Sequence, residues 1–268
     1  MGYLEKRVGF FSDAGGKPVN EDSIICISNE KDKSDVECLL GIADGLSNKK
    51  GGKFASVFVK EELEELYSDL KYKSFAESIE ADIKHLAYIF KMSVEDINKK
   101  LYELRHNHLN YKEMGTSFTG FLGYEMELYL AHVGHLKAYQ IRAGNVKTLT
   151  QPHIIGKKVN KVPPPDHYKE VYRNIGLKPW VKIDFQTIKV EANDLYVVCS
   201  NGFYNHVDEK SMLRTMMNLE YNPQKSSEAL VNLAKKNGAT GNISVVCIFY
   251  MNYMGLEVNT SDRTRLNY

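Results

Sequence analysis

The sequence predicts an α+β fold, a four-layer α-β-β-α sandwich in which two mainly antiparallel sheets pack face to face beneath covering helices. Three observations predict it. Short β-rich runs open and close the chain, a long stretch of helical periodicity lies between them, and the later strands are joined by junctions short enough for hairpins.

Val8 to Phe11, Ser23 to Ser28 and Leu39 to Asp44 read as strands, separated by the turn-rich Asp13-Ala14-Gly15-Gly16-Lys17-Pro18 and a charged stretch over 29–35. From Lys53 the period changes: Phe54, Val57, Phe58, Leu63, Leu66 and Leu70 recur at helical spacing. A second helical region runs from Ser74 through Ile79, Ile83, Leu86 and Ile89. Ser93, ahead of Val94-Glu95-Asp96, predicts a cap that restarts it through Leu101 and Leu104. Strand patterns return at Phe118 to Tyr124, Glu127 to Val133, Leu136 to Arg142 and Val146 to Thr150. The junctions at 123–126 and 143–145 require antiparallel neighbours. Gln151 to Pro165, with Pro163-Pro164-Pro165, is an irregular excursion, because strands resume at Lys182 to Val190 and Asp194 to Ser200. A helix over Ser226 to Lys236 and a strand over Ser244 to Tyr250 complete the series.

A chain of 268 residues suits one buried core, so a single domain over 1–254 with a polar tail over 255–268 is expected. A net charge of +1 gives no electrostatic footprint for nucleic acid or an anionic membrane. No apolar run approaches the roughly 18 residues of a spanning helix, Met1 to Arg7 lacks the apolar stretch of a signal peptide, and Lys6 stands where a myristoylation signal wants Ser or Thr. A cytoplasmic protein is expected. Cys26, Cys38, Cys199 and Cys247, each beside β-branched or apolar residues, read as reduced core thiols.

Glu21 and Asp22 follow the glycine-rich turn, and Asp44 ends an apolar strand immediately before Gly45. A rigid strand that presents a carboxylate beside a reachable glycine carbonyl suits a hard divalent cation. By itself Asp-Gly is equally a hairpin-turn signal.

The surrounding motifs extend the cation reading. Asn20-Glu21-Asp22-Ser23 and Ala43-Asp44-Gly45-Leu46, with Gly52 and Ala55-Ser56, resemble the first two acidic motifs of the metal-dependent Ser/Thr protein phosphatases, the type 2C or PPM family. Met114-Gly115-Thr116-Ser117, Ala131-His132-Val133-Gly134 with Ala138-Tyr139, Leu149-Thr150 with His153, Arg173 with Gly176, Cys199-Ser200 with Gly202, and Gly238 with Asn242-Ile243-Ser244 follow in that family's order over roughly residues 8–250. The resemblance implies a pair of Mg²⁺ or Mn²⁺ ions bridged by Asp44, with Glu21 and the Gly45 carbonyl serving the second ion. Asp22 then orients metal-bound water, and Asp22 and Asp44 are the catalytic pair. Lys17 stands where the family has a phosphate-contacting arginine, keeping the charge without the planar two-pronged grip.

The chain departs from that family at three acidic positions. Asn201 replaces an aspartate in Ser200-Asn201-Gly202, Gly241 replaces another before Asn242, and His135 replaces the aspartate of Gly-Asp-Ser-Arg. An outer-shell partner alone is worth about 10 to 100-fold in metal affinity. Two lost ligands therefore weaken the first ion site by at least roughly 3 to 5 kcal/mol, and one ion is expected more readily than two. His135, His206, Asp208 and Glu209 are conceivable replacements, although nothing in their spacing directs them to Asp44, and the two histidines read as ordinary polar or turn residues. The expected function is a phosphatase-like domain that binds a phosphoprotein or a Ser/Thr kinase signalling partner, as a pseudophosphatase or a weakly active enzyme. The alternative is an active Mn²⁺- or Mg²⁺-dependent phosphoserine/phosphothreonine phosphatase with a remodelled centre.

Overall fold

The computed structural model describes residues 4–28, 36–46, 51–76, 83–107, 114–156 and 169–252. Two five-stranded sheets form the middle of the molecule. The first has the order β1 (Leu4–Asp13), β12 (Ile243–Asn252), β11 (Leu195–Cys199), β6 (Lys137–Arg142), β7 (Asn145–Thr148). The second runs β10 (Asp184–Lys189), β5 (Glu127–Val133), β4 (Thr116–Tyr124), β3 (Val36–Gly45), β2 (Asp22–Ser28). Every pairing in both sheets is antiparallel.

Central strands are covered on both faces, which is why they lack polar alternation. In β3, Leu39 and Ala43 pack with helices α1 (Gly52–Ala76) and α2 (Ile83–Asn107), while Cys38, Leu40 and Ile42 meet the other sheet. In β12, Val245, Cys247 and Phe249 face α4 (Glu209–Asn218) and α5 (Pro223–Lys236), and Val246, Ile248 and Tyr250 face inward. The four expected layers are present, and the four cysteines are free thiols within them.

Some elements differ from the sequence expectation. α2 runs through Ser93 without interruption, because Leu86, Phe90, Val94, Ile97 and Leu101 form one buried stripe and no cap is needed. α5 starts earlier than Ser226: Asn222 Oδ1 accepts the Lys225 N–H at 3.0 Å, and Pro223 opens the first turn. Two helices had no strong periodic signal, α3 (Asn201–Tyr204) and α4, the latter capped by Asp208 through the Ser211 N–H. The excursion after Thr150 contains a small ladder of β8 (Ile154–Gly156) and β9 (Lys169–Val171). The stretch 29–35, Ile79, the Pro163-Pro164-Pro165 run and the polar tail lie outside the described residues. Among the described residues no helix is long and apolar enough to cross a membrane.

Candidate metal centre

Antiparallel pairing brings the ends of β1, β3, β5 and β11 and the starts of β2, β4, β6 and β12 to one end of the sandwich. The ladder sets Asp22 opposite Asp44, and Asp44 opposite Ser117. Two buried aspartates therefore face each other across neighbouring strands, 4 % and 7 % exposed. Like charges so placed repel. Burial, then the neighbouring Asp44 charge, pushes the Asp22 carboxyl well above the usual carboxylate range, against a 2.6 Å hydrogen bond donated by Ser244 Oγ to Asp22 Oδ2. A relay backs that bond: Asn20 Nδ2 donates to Ser12 Oγ at 2.7 Å, and Ser12 Oγ lies 2.7 Å from Ser244 Oγ. Among the described residues Asp22 Oδ1 meets no hydrogen-bond donor.

Glu21 adjoins the start of α1. Its carboxylate lies against the start of α1, where a Cβ on Gly52 would sit 2.7 Å from Glu21 Oε1, and a Cβ on Gly45 would strike the Gly52 carbonyl at 2.3 Å. Glycine at 45 and 52 is thus what lets the carboxylate, the carbonyl and the helix start converge. Burial and the Asp44 charge raise the Glu21 carboxyl, opposed by the charges of Lys17 and Lys53. Lys17 is exposed on the turn after β1, and Lys53 Nζ donates to Asp22 O at 3.1 Å and Ser23 Oγ at 3.3 Å.

The opposite wall supplies no carboxylate. Asn201 opens α3, and Gly241 faces open space, with no heavy atom within 4 Å of a built Cβ. The Asn242 amide makes three hydrogen bonds: Oδ1 accepts the Glu21 N–H at 3.0 Å, and Nδ2 donates to the carbonyls of Ala14 and Val19, both at 3.1 Å. It fastens the loop that carries Lys17 and Glu21. A Cβ on Gly15, at φ 62°, would meet the Gly241 carbonyl at 2.1 Å, so this close packing of the two loops requires glycine.

His135 is where the structure corrects the sequence reading. Its ring is buried against the acidic pair, with Nε2 3.1 Å from Asp44 Oδ2 and Nδ1 2.6 Å from Ser117 Oγ. The ladder explains this: Ser117 faces Asp44, Phe118 faces Val133, and the turn at 134–135 therefore arrives beside Ser117. His206, Asp208 and Glu209 go elsewhere. His206 Nδ1 lies 3.0 Å from the Gly202 carbonyl, Asp208 caps α4, and Glu209 accepts from Thr148 Oγ1 at 3.0 Å.

This donor set does not fit two adjacent ions. Among the described residues no group of three or more His, Cys, Asp or Glu side chains is arranged to hold a metal. Among the described residues the carboxylates come from β2, β3 and the turn before β2, and Asp44 Oδ2 already has an imidazole against it. What remains favourable to a single cation is the acidic pair with its unpartnered Asp22 oxygen.

No protein-family model matches the chain. It is 20 % identical over 237 residues to a serine/threonine phosphatase Stp of Listeria welshimeri, covering 85 % of this chain and 89 % of that one. It is 22 % identical over 250 residues to protein phosphatase PhpP of Streptococcus pneumoniae, covering 90 % and 96 %. Among solved structures, the catalytic domain of the phosphatase PstP in complex with two manganese ions superposes with a TM-score of 0.72 at 22 % identity, covering 93 % of this chain and all of that one. Stp1 of Staphylococcus aureus gives 0.74 at 23 %, covering 92 % and 95 %. Over most of its length the chain is similar in sequence to these bacterial phosphatases, and it shares the fold of the solved ones.

Proposed function

We propose that the chain is a phosphoprotein-binding domain of the type 2C class that holds at most one Mg²⁺ or Mn²⁺ and turns over slowly or not at all, a pseudophosphatase in cytoplasmic Ser/Thr kinase signalling. The observation that carries this reading is the wall formed by Asn201, Gly241 and Asn242: one position lacks a side chain, and the Asn242 amide is committed to the loop over residues 14–21. A pair of divalent cations, where present, clamps the attacking and leaving oxygens of a phosphoryl transfer. Here the chain contributes anionic oxygens from one sheet only, while Lys17 offers a positive charge to a phosphate at the rim. The relatives named as Ser/Thr phosphatases supply the substrate class, a protein phosphorylated on serine or threonine.

One observation favours the second reading, an active phosphatase with a remodelled centre. The buried Asp22 and Asp44 pair keeps an oxygen without a hydrogen-bond partner among the described residues, and the nearby Lys53 ammonium bonds the Asp22 backbone carbonyl. Turnover of a phosphothreonine peptide in Mg²⁺, Mn²⁺ and Zn²⁺ decides between them. The expected kcat lies at least about a hundredfold below a typical ~10 s⁻¹ while the peptide still binds. A rate within about tenfold of that value, abolished by Asp44→Ala, establishes the active enzyme instead.

A further inference from the structure

We infer that His135 closes the ion position on Asp44, so that the missing carboxylates are only half of what separates this centre from a two-ion one. The inference rests on the reading of Asp44 as the bridging position and goes beyond it by assigning a residue that bars the bridge.

The tautomer follows from the partners. A neutral imidazole has one donor and one acceptor nitrogen. Nε2 faces a carboxylate oxygen, where a bare lone pair would be repelled, so Nε2 carries the proton and donates to Asp44 Oδ2 at 3.1 Å. Nδ1 then accepts from the Ser117 hydroxyl at 2.6 Å, and Ser117 Oγ in turn accepts the His135 backbone N–H at 3.2 Å. A carboxylate that bridges two ions shares its oxygens between them, and here an N–H and the imidazole behind it compete for Asp44 Oδ2.

The backbone around the ring is pinned as firmly. Tyr204 OH donates to the His135 carbonyl at 2.6 Å. The Gly134 N–H donates to His153 Nδ1 at 2.9 Å, and its carbonyl accepts the His153 N–H at 2.7 Å. Gly134 sits at φ 109°, and a Cβ there would overlap Ser117 Oγ at 2.0 Å. The backbone that carries the ring is therefore held in place, and swinging the ring off Asp44 means breaking its 2.6 Å contact with Ser117 Oγ.

The consequence is an epistasis that ligand loss alone does not predict. Asn201→Asp with Gly241→Asp should leave Mn²⁺ affinity, read by calorimetry, within about threefold of the unmodified chain. Adding His135→Ala to that pair should raise it by at least about tenfold, the lower range for a ligand-orienting contact. Equal gain in the double and triple variants, or no gain in either, overturns the inference. Should the triple variant fail to fold, ¹⁵N spectroscopy of the unmodified chain decides. The His135 ring must show a protonated Nε2 and a bare Nδ1, unchanged by millimolar Mg²⁺, and a bare Nε2 or a ring shifted by Mg²⁺ overturns it. Phosphopeptide binding and turnover of the unmodified chain are separate readouts, so failure of the functional proposal is distinguishable from failure here.

Discussion

Two ends of the same sandwich each bury aspartate, and they treat it in opposite ways. At the start of β11 the Asp194 side chain, fully buried, is held by Arg142 Nε at 2.7 Å and Arg142 Nη2 at 2.6 Å, by Tyr196 OH at 2.8 Å, and by the Glu191 N–H at 2.9 Å. Burial alone would raise that carboxyl, but the Arg142, Glu191 and Tyr196 hydrogen bonds outweigh it and hold it low. At the other end Asp22 has a neighbouring carboxylate in place of a guanidinium, and its pKa goes up. Asp194 completes a structural joint. Asp22 and Asp44 stand side by side with no arginine gripping either, an arrangement that a fold selected for stability alone has no reason to retain.

The largest expected effect lies at the joint. Arg142→Met leaves Asp194 buried without its cation and should cost about 3 to 5 kcal/mol in urea unfolding. A cost under about 1 kcal/mol would remove the contrast, because the two ends would then differ in geometry but not in energy. The joint also sets a pH dependence. A carboxyl whose folded pKa lies below the unfolded value contributes stability that is present above the unfolded pKa and lost as pH falls through the folded one. Asp184, lowered against burial by His153 and Arg173, acts in the same sense as Asp194. The unfolding midpoint should therefore drop below about pH 4, and Arg142→Met should flatten the part of that drop due to Asp194.

Next in size is Asn242→Ala. It removes three hydrogen bonds that fasten the loop over residues 14–21, a loss of about 2 to 4 kcal/mol at roughly 1 kcal/mol each. This change tests whether the carboxylate-poor wall is structural. If it altered Mn²⁺ affinity while leaving the urea midpoint unchanged, Asn242 would belong to the site rather than to its support.

Asp22→Asn should move stability the other way. An amide at 22 removes the repulsion with Asp44 and ends the raised-pKa penalty, which grows as pH rises from the unfolded pKa toward the folded one. A gain of about 1 to 3 kcal/mol at neutral pH is expected, the scale of one unsatisfied buried polar group. A destabilised Asp22→Asn protein would mean that the pair already has its counter-charge.

Much of this contrast is legible in the sequence. The antiparallel layers follow from the hairpin junctions at 123–126 and 143–145 and from the helical stripe after Lys53, both local signals. Glu21 and Asp22 are singled out in the sequence by the glycine-rich turn they follow, and Asp44 by the apolar strand it ends just before Gly45. His135 is not, because its approach to Asp44 depends on two ladder registers, Asp44 with Ser117 and Phe118 with Val133, that join segments far apart in the chain. Asn242 stands in a readable motif, but its fastening role does not show in the sequence, since its three partners lie more than two hundred residues upstream. Helix α4 had a readable cap in Asp208, but its apolar face, Met212 and Met216, spans too few turns to stand out.

The smallest effect on stability belongs to Lys17, and there stability and function should separate. Its side chain is exposed on the turn after β1, and its charge reaches Glu21 through solvent-accessible space. Lys17→Ala should change the urea midpoint by less than about 0.5 kcal/mol, as exposed substitutions do. A phosphate held at the rim by Lys17, however, would lose that cation, and phosphopeptide affinity should fall about three- to tenfold, more at low salt than at high because screening weakens exposed charge contacts. Lys17→Arg should restore or exceed the original affinity, since a guanidinium grips two phosphate oxygens where an ammonium is a point charge. If alanine and arginine variants bound the phosphopeptide as the unmodified chain does, the phosphate would have to enter from the Asn201 side, and the acidic pair would be read from the wrong wall.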